Sequence, residues 1–262
     1  MEGWNRRVLL GALRRPDSVY YWARASIRLR ENRTHGREAD RFAVARTDPV
    51  TALRRVGVLG PSPSEESEIR SRYHGLRALI DECYGRQAQG RIPSVVTEED
   101  ALLLYAVVRS LSPEVVVETG VSDGMSSAII LAALEKNGRG TLHSIDFPLM
   151  GIPRLYRRMP GWVVPEQYRR RWQLRLGPSH RLLEPLLREV GPIGVFFHDS
   201  EHSFAQMSWE FRTALSHLCR GGVVISDDVF ANDAFSEICS ATPGAAWATT
   251  SGGMGLLRPS GP

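Results

Sequence analysis

Between residues 102 and 226 the apolar positions fall into short runs divided by polar, glycine-bearing turns. Five of these runs, at residues 115–117, 141–145, 173–176, 193–197 and 223–226, have strand length. They alternate with stretches of helical spacing at 102–109, 126–136, 181–190 and 204–218. The run at 115–117 is apolar throughout, the pattern of a strand buried on both faces of a parallel sheet. The tail, 247–258, places Gly252-Gly253 between two apolar-leaning stretches and reads as an antiparallel hairpin closing that sheet. The fold class this predicts is α/β, a doubly wound, mostly parallel seven-stranded sheet with an antiparallel C-terminal hairpin.

The first 90 residues carry no strand signal. Val19, Trp22, Ala23, Ile27 and Arg30 recur at helical spacing after a Pro16-Asp17-Ser18 start, which predicts an amphipathic helix. Residues 57–67 (GVLGPSPSEES) read as a linker, and residues 66–84 as a helix with Ile69, Tyr73, Leu76, Leu79 and Ile80 on one side. The organisation expected is a helical segment over 1–90, acting as a cover or in oligomerisation, followed by one catalytic domain over 91–262. Its first helix opens on Thr97 with acids behind it. Exposed apolar faces on the N-terminal helices favour packing on the core or within a homo-oligomer over a membrane surface.

Composition narrows the class. The chain has 262 residues, 42% of them hydrophobic and 24% charged, enough for a full core. No run approaches the roughly 18 apolar residues of a membrane-spanning helix, and the apolar stretch at 8–13 is short and flanked by arginines, so no cleaved signal is expected. Cys83, Cys219 and Cys239 fit neither a disulfide framework nor a zinc site, which points to a reducing, cytoplasmic setting. The net charge of +4 is concentrated in arginines between 6 and 41 and between 154 and 171. These are interleaved with few stacking aromatics, which argues against a nucleic-acid partner. Only Lys136 is a lysine, so a lysine general base is almost unavailable.

The chemistry concentrates at the predicted strand ends. The run Val115-Val116-Val117 leads into Glu118-Thr119-Gly120-Val121-Ser122-Asp123-Gly124, a loop whose glycines let the backbone approach a ligand. A dinucleotide site wants G-x-G-x-x-G, and Glu118 would repel a diphosphate; it suits a ligand carrying positive charge, such as S-adenosylmethionine. Asp146 ends the next strand, where a carboxylate can accept both ribose hydroxyls.

With these features in register, the segment 91–258 resembles the class I S-adenosylmethionine-dependent methyltransferases, of Rossmann-like fold. It is most similar to a bacterial group with Asp-x-x-His after the fourth strand and Gly-Gly followed by paired acids at the fifth, read here as His198-Asp199-Ser200-Glu201-His202 and Gly221-Gly222 to Asp227-Asp228. Ser122 departs from the pattern, since many members have glycine there. The resemblance implies a small-molecule O-methyltransferase with Glu118, Gly120, Ser122, Gly124, Asp146, Ser179 and Asp199 on the cofactor side. Ser179 has the alternative of being a helix N-cap.

Asp199, Asp227 and Asp228 sit at adjacent strand ends about 4.8 Å apart, where three carboxylates need a compensating cation. Mg²⁺ or another divalent ion on Asp199, Asp227 and Asp228 would lower the pKa of a substrate hydroxyl. His202 lies where the catechol-type relatives carry a catalytic lysine, and is expected to be the general base, with Asp199 beside it. The expected reaction is methyl transfer to a hydroxyl of a sugar or secondary metabolite. The alternatives are a non-catalytic cofactor-binding protein on the same scaffold and a nicotinamide-dependent oxidoreductase.

Overall fold

The computed structural model describes Asn32, His35 and residues 46–87, 96–147 and 159–260. The helix expected around Val19–Arg30 and the arginines at 154, 157 and 158 lie outside these residues. In chain order the elements are β1 (Arg46–Thr47), α1 (Pro49–Arg55), α2 (Pro63–His74), α3 (Arg77–Gln87), α4 (Glu98–Leu111), β2 (Val115–Thr119), α5 (Met125–Asn137) and β3 (Thr141–Asp146). A 3₁₀ turn (Glu166–Arg171) then precedes β4 (Trp172–Leu176), α6 (Ser179–Val190), β5 (Ile193–His198), α7 (Phe204–Leu215), β6 (Leu218–Ser226), α8 (Ala234–Ala241), β7 (Ala246–Thr250) and β8 (Gly255–Arg258).

The eight strands form one sheet in the order β1-β7-β8-β6-β5-β2-β3-β4, parallel except where β8 lies antiparallel between β6 and β7. The doubly wound, mostly parallel α/β fold with its antiparallel closing hairpin is thus as expected. The eighth strand, β1, pairs with β7 through only two residues, too few to show in a hydrophobic pattern. Helix α8 was likewise unforeseen, being only eight residues long.

Strand periodicity assigns the core. On β2, Val116 faces the layer of α1 to α5, whereas Val117 faces that of α6 to α8; Phe197 and Phe196 on β5 divide in the same way. Helix α4 opens with a reciprocal capping box between Thr97 and Asp100. The stretch 57–67 is only partly a linker, because Ser62 caps α2 and Pro63 supplies its first position, a residue with no amide to satisfy. The helix expected over 66–84 is two helices, α2 and α3, divided at Gly75 and Leu76. Ile69, Tyr73, Leu76, Leu79 and Ile80 are nevertheless all buried, in the same core as α4 and α5. No helix among the described residues is long and apolar enough to cross a membrane.

Candidate active site

Five strands end at one level. The amide of Gly177 donates to the Asp146 carbonyl, Gly120 to Ile145, Asp199 to Thr119 and Asp227 to His198, all at 2.8–2.9 Å, so the ladder continues one step past β4, β3, β2, β5 and β6. This rim brings Asp146, Gly120, Asp199 and Asp227 side by side. The strand order reverses between β2 and β5, where ligands of open α/β sheets sit.

The glycine loop is held by close approach. Gly120 has φ +86°, and a Cβ there would lie 1.9 Å from the Asp199 carbonyl oxygen. Gly124, at φ +97°, opens α5 with its Cα face against Gly161. Ser122 keeps the left-handed path of the missing glycine at φ +49°. Asp146 Oδ2 accepts from the amides of Val121 (2.7 Å) and Ser122 (2.8 Å), tying the loop to the end of β3. Burial pushes its pKa up, against the lowering by these two amides.

Glu118 departs from its expected place. It is completely buried beneath the loop, with Oε1 accepting from Ser126 Oγ (2.7 Å) and Oε2 from Ser127 and Ser144 Oγ (both 2.6 Å). Burial pushes its pKa up to about 7 despite these three donors. With its oxygens so occupied, the carboxylate props the start of α5 against β3 and does not present itself to a ligand's positive charge. Ser179 is not an N-cap either, since Pro178 precedes the helix in that position; its hydroxyl instead accepts from Gln206 Nε2 at 2.7 Å.

On the other side of the rim, His202 Nε2 stands 3.8 Å from Asp199 Oδ1, and His202 Nδ1 stands 3.4 Å from Asp228 Oδ2. One ligand atom each from Asp199, His202 and Asp227 lies within 4.8 Å of the others, the one such group of three among the described residues. This group differs from the expected trio of acids in holding His202 in the place of Asp228. Asp228 is 60% exposed in its side chain and turns, at φ +51°, to the far nitrogen of His202. Burial, then the charges of Asp227, Glu118 and Asp228, raises the pKa of Asp199 well above the carboxylate range. Burial and then Asp228 bring Asp227 up to about 6.

The loop carrying His202 is clasped from two directions. Its carbonyl accepts from Asn32 Nδ2 (3.0 Å) and Asn232 Nδ2 (3.2 Å), and the next aromatic, Phe204, stacks on His35 at 3.9 Å between ring centroids. Neither asparagine stood out in the sequence, because each works through a backbone atom of a distant residue. Beneath, Glu210 on α7 is fully buried and accepts from Thr119, His198, Ser200 and Gln206. Burial alone would raise its pKa, but the His198 ring and the hydroxyls of Ser179 and Thr119 bring it down to about 2. An acid on the apolar stripe of Met207, Phe211 and Ala214 was the signal available for it.

The arginines at 169–171 are engaged within the chain. Arg169 donates to the carbonyls of Gly161 and Val164, and Arg170 and Arg171 pair with Glu135. They fasten the segment before β4 to α5 instead of facing an acceptor.

Residues 117–229 match the family model of a methyltransferase domain, a span running from β2 through the glycine loop to the paired acids. This stretch is a methyltransferase domain. No curated protein matches it. Among solved structures, the methyltransferase shares its fold with the O-methyltransferase from Bacillus cereus in complex with SAH (TM-score 0.55, 17% identity, 69% of this chain and 89% of that one). It also shares the fold of the SAH-bound methyltransferase PaMTH1 from Podospora anserina (0.57, 16%, 78% and 99%). A third is TomG from Streptomyces achromogenes, an O-methyltransferase involved in tomaymycin synthesis, in complex with SAM (0.55, 17%, 71% and 90%). The nicotinamide alternative is set aside by the family match.

Proposed function

We propose that this methyltransferase transfers a methyl group to a hydroxyl of a small molecule, a sugar or secondary metabolite, with a divalent cation held by Asp199, His202 and Asp227. The observation that carries this reading is the convergence of those three side chains beside the glycine loop. Two carboxylates and an imidazole suit Mg²⁺ or Mn²⁺, and both carboxylates are held above their ordinary pKa, a penalty that a cation would relieve. When bound, such a cation would lower the pKa of a substrate hydroxyl. The O-methyltransferase neighbours support oxygen as the acceptor atom, and the likeness to TomG supports secondary metabolism.

On the cofactor side, Gly120, Ser122 and Gly124 let the backbone come close to the ligand, and Asp146 accepts the ribose hydroxyls with the oxygen its loop amides leave over. Ser179 and Asp199 border the same space from β4 and β5. Displacement at an already activated methyl needs in-line alignment and removal of the hydroxyl proton, so these residues work chiefly by positioning. Asn32 and His35 support the N-terminal segment as a cover on the acceptor side, and we extend that role to a homo-oligomer. The free thiols of Cys83, Cys219 and Cys239 support a cytoplasmic setting.

A second reading has its own observation. Asp228 against His202 Nδ1 is the arrangement of an acid orienting a histidine base, leaving Nε2 to take the hydroxyl proton. One nitrogen cannot both ligate and accept that proton, so the readings are separable. Exhaustive chelation is expected to abolish transfer across a panel of hydroxyl acceptors, with Mg²⁺ or Mn²⁺ restoring it and calorimetric binding of S-adenosylhomocysteine surviving throughout. Full turnover after chelation would overturn the cation and assign His202 as the base.

A further inference from the structure

The family match and the proposed chemistry leave one buried acid unexplained. Glu210 is on neither strand end, yet its two oxygens gather donors from both. Oε2 accepts from Thr119 Oγ1 (2.6 Å) and His198 Nδ1 (2.7 Å), and Oε1 accepts from Ser200 Oγ (2.9 Å) and Gln206 Nε2 (2.7 Å). Thr119 immediately precedes Gly120, and His198 and Ser200 flank Asp199 on either side. The carboxylate therefore grips the chain one residue before the glycine loop and one residue on each side of the acid that faces it.

The tolerance it guards is narrow. Gly120 and the Asp199 carbonyl are in backbone contact, so a small drift of β5 against β2 would close or open the mouth of the cofactor loop. Gln206 carries the grip further by sharing its amide between Glu210 and Ser179 at the head of α6. A carboxylate at zero exposure is a costly way to fill a core, and apolar replacements of buried charges are often neutral or stabilising. Four donors converging from β2, β5, the loop after it and α7 give it instead the role of a spacer whose length and charge are both needed.

We propose that Glu210 is a positioning residue of this methyltransferase, setting the separation of the β2 and β5 ends so that the glycine loop and Asp199 jointly fit S-adenosylmethionine. The inference rests on the cofactor side of the proposed site and needs no metal. Glu210→Gln keeps the volume but turns an NH₂ group toward donors. Studied well below its own unfolding temperature, it is expected to bind S-adenosylhomocysteine at least tenfold more weakly than wild type by calorimetry. Thr119→Val and Ser200→Ala each remove one donor while keeping the acid, and are each expected to weaken binding by about threefold to tenfold.

A purely structural Glu210 would lower the unfolding temperature and leave these affinities unchanged, and that result overturns the proposal. If Glu210→Gln does not fold, the two single-donor variants decide: weakened binding in both supports the spacer, and wild-type affinity in both refutes it. Absence of S-adenosylhomocysteine binding in the wild-type protein would instead refute the cofactor site itself.

Discussion

In the proposed site Asp146 does two jobs with one carboxylate. Oδ2 holds the amides of Val121 and Ser122, so removing the side chain loosens the glycine loop as well as any ligand contact. Asp146→Asn separates the two, because its amide oxygen can keep the loop while its NH₂ replaces the ribose-facing acceptor. The expected outcome is a loss of about 1.5 to 3 kcal/mol of S-adenosylhomocysteine affinity in Asp146→Asn with an unchanged unfolding temperature. Asp146→Ala should lose both affinity and stability. Calorimetry beside a thermal scan checks it, and equal affinity in Asp146→Asn and wild type would remove the ribose role.

At the scale of elements, the N-terminal region divides at β1. Strand β1 pairs with β7, and Val50, Ala52 and Leu53 of α1 are buried in the core, so a deletion reaching residue 60 would strip the domain. A deletion of residues 1–44 spares them and removes Asn32 and His35, the clasps on the loop of His202 and Phe204. The shortened protein is expected to fold, to bind S-adenosylhomocysteine as wild type does, and to show an acceptor KM raised by roughly tenfold, since the lost contacts lie on the side proposed for the acceptor. An unaltered KM would show that the segment does not cover the acceptor site.

For the whole molecule, the acids gathered at the rim bear on stability. Asp227 has its pKa raised to about 6 by burial and by Asp228, against an ordinary value of 3.8. A raised folded-state pKa means that the folded protein binds the proton more tightly than the unfolded chain. Its stabilising contribution is therefore full below about pH 4 and is lost as pH rises through about 6. Asp227→Asn cannot titrate, so at pH 8 in the absence of divalent ions it is expected to unfold about 2 to 4 °C above wild type. The gain should shrink towards zero near pH 4. Adding Mg²⁺ should raise the wild-type transition and leave that of the variant where it was. A variant no more stable than wild type at pH 8 would show that the acids are not in conflict.

Much of the scaffold was legible along the chain because parallel strands buried on both faces must be apolar throughout, as in Val115-Val116-Val117, and because helix starts need caps, as Thr97 supplies. Ends of such strands follow directly, and with them Gly120, Asp146, Asp199 and Asp227. What needed three dimensions were the side-chain directions at those ends and every partnership across long separations. Glu118 and Glu210 are both acids in apolar surroundings, and nothing local says that three serines enclose one while four donors from β2, β5, the loop after it and α7 meet on the other. Asp227 and Asp228 are neighbours in sequence, yet backbone geometry sends Asp227 to the cluster with Asp199 and His202 and turns Asp228 to the other nitrogen of His202. Local pattern determines which segments are strands and where they stop, since burial and capping act over a few residues. The facing of polar groups is decided only when the sheet is assembled, because a buried charge is satisfied by whichever donors the fold brings within hydrogen-bonding reach.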